Sequence, residues 1–120
     1  MRVLVLVLQI ALRLCWLAAI VLGVLFWTGR AVGLVPVHML LGLLIALLLA
    51  VLAVLAGVRG NSALLIAGIA VAVLLPVVGV NQTSWVPGAG HWAIQVVHLL
   101  IGVAAIGVGE MAGARARRGV

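Results

Sequence analysis

Residues 36–57 read PVHMLLGLLIALLLAVLAVLAG, and this stretch decides the fold. Twenty-two residues without a formally charged side chain, His38 being the single ionisable group, make an α-helix about 33 Å long at 1.5 Å per residue. That is the thickness of a bilayer's hydrocarbon core, and the run has no polar stripe with which to face water. Similar runs flank it. Hydropathy divides the chain into spans at roughly 10–29, 36–57, 63–80 and 91–110.

Composition agrees. The 120 residues are 68% hydrophobic with mean hydropathy +1.54, and only eight side chains carry formal charge. Soluble domains have about a quarter charged residues, so too little polar surface exists here to coat a water-soluble particle. Four spans of about 20 residues take up about 80 positions, which leaves short loops and brief tails. The expected chemistry therefore lies inside or at the edge of the bilayer.

Turn residues mark the breaks. Thr28-Gly29-Arg30 and Gly33 precede Pro36, which suits the first turn of a helix. Gly57, Gly60, Asn61 and Ser62 make the second break; Asn81 to Gly90, with Pro87-Gly88, makes the third. Short connections predict an all-α, up-down bundle of four transmembrane helices forming a single domain over 1–120. Arg2 followed by Val3 to Leu12 resembles a signal-peptide start, but Arg13 interrupts the apolar core and no small residue precedes Cys15 in lipoprotein fashion, so the segment is expected to be retained. Residues 1–9 then lie at the interface or prolong the first span.

All seven cations are arginines. Arg2, Arg13, Arg59, Arg115, Arg117 and Arg118 fall on one side of the predicted topology and Arg30 on the other. The positive-inside rule then puts both termini in the cytoplasm. Trp27, Trp85 and Trp92 fall at the opposite boundary, as an aromatic belt would. The Ala, Gly, Val and Arg bias points to a bacterial inner membrane. A net charge of +6 does not imply nucleic acid, because the cations are scattered over helix ends rather than gathered on a soluble basic face. They read as topology signals and lipid contacts.

The lone Cys15 rules out an internal disulfide, a Cys-Cys zinc site and a c-type haem attachment, and reads as packing. Asn81-Gln82-Thr83 fits a glycosylation acceptor but serves equally as turn chemistry. Ionisable or polar groups in a span are expensive, so each is a candidate site: Arg13, His38, His91, Gln95, His98 and Glu110. Glu110 is the sole carboxylate in a span. Lying near the inner ends of neighbouring first and fourth helices, Arg13 and Glu110 are expected to pair. The absence of a mid-membrane acid argues against a proton-coupled multidrug carrier or a carboxylate-based hydrolase.

The histidines remain. Val37-His38-Met39-Leu40-Leu41-Gly42 matches Val97-His98-Leu99-Leu100-Ile101-Gly102 at an offset of 60 residues. The coincident His and Gly suggest a duplicated helical hairpin, 1–60 and 61–120, whose second and fourth helices run in the same direction. Two imidazoles opposed across a bundle suit a haem ligated from both sides, here one haem b with His38 and His98 as iron ligands. Gly42 and Gly102, one turn along the same faces, would make room for the porphyrin. The structural alternative is that these glycines pack helices and the histidines hydrogen-bond each other or the loops. Copper at His38 and Met39 is disfavoured, because adjacent residues point about 100° apart on a helix.

Depth leaves the second ligand open. His38 is 21 residues from Arg59, His98 is 17 from Arg115 and His91 is 24 from it. His38 is thus mismatched by roughly 5 Å with either partner, and the repeat register favours His98. His91, Gln95 and His98 form an i, i+4, i+7 face that, with Arg30, could hold haem propionates, or admit a quinol headgroup beside Trp92.

On His38-Met39-Leu40-Leu41-Gly42 and His98, the chain resembles the four-helix modules of membrane b-type cytochromes, in particular one half of a haem A synthase, whose histidines sit on the second and fourth helices of each bundle. The resemblance implies haem binding. This chain has four spans rather than eight, Met39 where the synthase pattern often has Arg, and none of that family's outer carboxylates, so electron transfer is the expectation rather than haem A synthesis. The expected function is a small electron carrier, taking electrons from a quinol or passing them to an outer acceptor, alone or in a homo- or hetero-oligomer. The rival expectations are a cofactor-free membrane subunit or scaffold and a small transporter gated by histidine protonation.

Overall fold

A computed structural model describes residues 1–118. Four helices follow one another: α1 (Arg2–Trp27), α2 (Val35–Val58), α3 (Ser62–Asn81) and α4 (His91–Arg118), with single 3₁₀ turns at Val32–Leu34 and Gly88–Gly90. All four are long and apolar enough to cross a membrane, and no strand occurs among the described residues. The protein is a multi-pass, all-α membrane bundle with large apolar side chains exposed along every helix to meet lipid.

Local chemistry sets the boundaries. Pro36 sits in the first turn of α2, where its missing N–H costs nothing. At the end of α2, Gly60 takes φ +90°, a left-handed conformation that lets its N–H reach the Gly57 carbonyl and that of Asn61 reach Ala56. Asn61 then caps α3, its Oδ1 accepting from Leu64 N–H at 2.9 Å. Two helices exceed their predicted spans. Helix α1 begins at Arg2 and α4 runs on to Arg118, because no Pro or turn residue stops either one, and their polar ends can extend past the hydrocarbon. The long axis is 49 Å accordingly.

Helices α2 and α4 touch across the bundle, whereas α1 and α3 do not meet among the described residues. The two histidine-bearing helices are therefore the short diagonal. Packing is concentrated towards the end that carries the termini. Val5, Gln9, Leu12, Leu49, Leu52, Ala56, Ala105, Ala112 and Ala116 are all fully buried there. Glycines permit the close approach. A Cβ at Gly109 would overlap Leu12, one at Gly113 would overlap the Gln9 amide, and one at Gly68 would overlap Ala53.

The predicted ion pair is present. Arg13 Nε and Nη2 donate to the two carboxylate oxygens of Glu110 at 2.7 and 2.8 Å, a bidentate fork, and Gln9 Nε2 adds a third donor at 3.2 Å. Gln9, in an otherwise apolar run, was not anticipated as part of this cluster. At the same end Arg115 Nη2 donates to the Arg59 carbonyl at 2.7 Å, satisfying an orphan acceptor beyond α2.

Candidate functional site

Beyond the packed half, the bundle opens into a cavity of about 470 Å³. Every helix contributes to it. Trp16, Gly23 and Phe26 come from α1, His38 and Gly42 from α2, Leu75 and Gly79 from α3, and His91, Gln95, His98 and Gly102 from α4. Gln82 and Thr83, just past α3, complete the rim. The volume falls in the roughly 300–1,000 Å³ range of cofactor and small-molecule sites.

His38 and His98 face one another here. Their ring centroids are 6.3 Å apart and the planes cross at 69°. Counting residues from the arginines predicted a mismatch in depth, but that count treats Arg59 and Arg115 as level. The Arg115 guanidinium instead reaches to the Arg59 carbonyl, and a side chain that long absorbs more than one helical turn of offset. Phe26 lies edge-on to His38 at 5.3 Å and 81°. The Ala19 backbone faces the same imidazole. Nδ1 of both histidines is buried without a hydrogen-bond partner, an unusual state for a buried polar atom.

Each histidine rests on a glycine of the preceding helix. A Cβ on Gly23 would lie 3.6 Å from His38 Cε1, and one on Gly79 would lie 3.0 Å from His98 Cε1. Gly42 and Gly102 behave differently. Both line the cavity, and a Cβ at either would meet nothing within 4 Å. These two glycines hold space open rather than packing against a neighbour. The Gly102 carbonyl accepts a hydrogen bond from Trp16 Nε1 at 2.9 Å, tying α1 to α4 at the cavity floor.

The remaining candidates fall at the mouth or outside. His91 is the first residue of α4 and, with Gln95 one turn on, lines the cavity near its rim. Arg30 is exposed in the turn after α1 and does not line the cavity. Trp27, Trp85 and Trp92 are exposed at this end of the bundle.

Trp16, Gly23, Phe26, Gly79 and Pro76, which lies inside α3 and also lines the cavity, were not singled out from the sequence. A signal existed for the glycines. Each precedes a histidine, by 15 and 19 residues, on the first helix of its hairpin. Trp16 has no such cue, since a lone tryptophan in an apolar run reads as lipid-facing or core.

The donor set restricts the ligand. Among the described residues no group of three or more His, Cys, Asp or Glu side chains could hold a metal ion. Two opposed imidazoles suffice only for an ion that brings its other ligands with it, as a porphyrin-bound iron does. Two metal–nitrogen bonds of about 2 Å each, plus about 1 Å from each nitrogen to its ring centre, require centroids about 6 Å apart. The His38–His98 centroid separation of 6.3 Å is close to that requirement. No family model matches this chain, and no curated protein or solved structure shows significant similarity to it.

Proposed function

We propose that the protein is a small membrane b-type cytochrome, holding one haem b between His38 and His98 and carrying electrons. The observation behind this reading is the 6.3 Å separation of two opposed imidazoles across a cavity that Gly42 and Gly102 leave open. In this reading His38 and His98 would hold the haem iron. Gly42 and Gly102 would leave room for the haem, Trp16 would close the floor of the slot, and His91 and Gln95 would offer polar contacts to the haem carboxylates. When bound, the haem would supply one-electron ferrous–ferric chemistry; the chain supplies ligands, orientation and exclusion of water.

The Ala, Gly, Val and Arg bias supports a bacterial inner membrane location, and the positive-inside rule supports cytoplasmic termini with the cavity towards the outer face. A quinol headgroup is the proposed electron donor, meeting His91 and Trp92 at the cavity mouth. An outer acceptor takes the electrons on.

Optical spectroscopy tests the reading. Protein purified in detergent and reconstituted with haem b should give the narrow reduced bands of a six-coordinate haem, lost in His38→Ala and in His98→Ala. A preparation that gives no such bands after reconstitution contradicts it. A cofactor-free subunit would give that result.

A further inference from the structure

At the opposite end of the bundle a wide cleft of about 700 Å³ opens between the start of α3 and the end of α4. Asn61, Ala63 and Leu64 form one wall; Glu110, Arg115, Arg117 and Arg118 contribute to the other. Three arginines thus line one cleft together with one carboxylate. That carboxylate is already neutralised, because Arg13 grips both of its oxygens from α1.

The arginines differ in what they have left to give. Arg115 spends one N–H on the Arg59 carbonyl. Arg117 has its Nε buried without a hydrogen-bond partner, although the side chain as a whole is only partly buried. Arg118 is exposed at the rim. The α3 N-terminus contributes little, since Asn61 already satisfies the Leu64 N–H. The arginines define the ligand: a tetrahedral oxyanion able to accept several N–H donors at once, that is, a phosphate group.

We infer that this cleft binds the phosphodiester headgroup of an anionic phospholipid. A phosphodiester could arrive as a lipid or as a soluble phosphate compound. The position favours lipid, because the cleft lies between the ends of two membrane-spanning helices, where headgroups sit. Basic pockets between helices on the cytoplasmic side are the expected binders of anionic lipid heads. A bound lipid would also cover the exposed apolar side chain of Met111, which borders the same cleft. The inference stands independently of the haem.

Lipid retention in native mass spectrometry tests it on the full chain in a neutral detergent. Wild type should keep one phosphatidylglycerol with at least about tenfold preference over phosphatidylcholine. Arg117→Lys combined with Arg118→Gln should lose about tenfold in that retention, since lysine keeps the charge but not the planar donor array. Should the double variant fold poorly by circular dichroism, Arg118→Gln alone, at the exposed helix end, should still lower retention about threefold. Equal retention of the two lipids, or unchanged retention in the variants, overturns the inference. Displacement of the lipid by inorganic phosphate at equal concentration overturns it too, by assigning the cleft to a soluble phosphate.

Discussion

Replacing Gly42 and Gly102 by alanine should stabilise the protein while impairing the site, a combination that separates a ligand slot from helix packing. Glycine in a helix interior is less favourable than alanine by about 0.8–1.0 kcal/mol. At both positions the new methyl would enter empty space, with nothing within 4 Å, so no clash offsets the gain. Both sites line one cavity, so their effects need not add in full; together they should stabilise by about 1–2 kcal/mol, roughly a 5- to 30-fold shift in the unfolding equilibrium of the haem-free protein. Each methyl would also intrude on the space that a porphyrin takes in the proposed reading. Overpacking a filled site costs about 1–3 kcal/mol, which would lower haem affinity by roughly 5- to 150-fold. Gly79→Ala serves as the contrast. Its Cβ would stand 3.0 Å from His98 Cε1, so stability should change little while the imidazole shifts by a few tenths of an ångström. Denaturant unfolding of the haem-free protein in detergent gives the first quantity and a haem titration the second. If the double alanine variant is destabilised, or binds haem as tightly as wild type, the slot argument fails.

Other outcomes follow from single contacts. His91→Ala should keep the six-coordinate spectrum, with at most a small band shift, because His91 lies at the cavity rim away from the paired rings; abolition of the spectrum would make it a ligand. Gly109→Ala should destabilise the bundle by about 1–3 kcal/mol in the same unfolding assay, since its methyl would overlap fully buried Leu12. Trp16→Phe should cost about 0.5–1.5 kcal/mol by removing the hydrogen bond to the Gly102 carbonyl, detectable as a lower unfolding midpoint. Glu110→Gln breaks the charge pairing with Arg13 while leaving the shape intact, and should lower the thermal midpoint; no change would mean that the fork contributes nothing to stability.

The bundle was legible from residues 36–57 outward because lipid leaves the backbone few options. A polar main chain in hydrocarbon must bond to itself, so apolar runs of this length become helices whatever their detailed sequence. The Arg13–Glu110 pair was legible for a related reason. Two charges at one depth on adjacent helices have strong cause to meet, whereas Gln9 carries no charge to announce its place in the cluster. The meeting of His38 and His98 was suggested by a repeated His and Gly, but depth could not be read from arginine counts, since a guanidinium reaches over more than a helical turn. The hollow itself was illegible. It depends on the α2–α4 diagonal and on which glycines pack and which do not, and Gly42 and Gly68 look alike until their neighbours are known. The overrun of α4 to Arg118 was missed because hydropathy reports the hydrocarbon thickness, not the end of the helix.

The claim that two opposed imidazoles hold one haem is tested most directly by electron paramagnetic resonance of the ferric, haem-loaded protein, with the haem-to-chain ratio measured on the same sample. One haem per chain with a low-spin signal, converted to high-spin or lost in both His38→Ala and His98→Ala, is the predicted result. A high-spin wild-type signal, or a low-spin signal that survives either substitution, would contradict it.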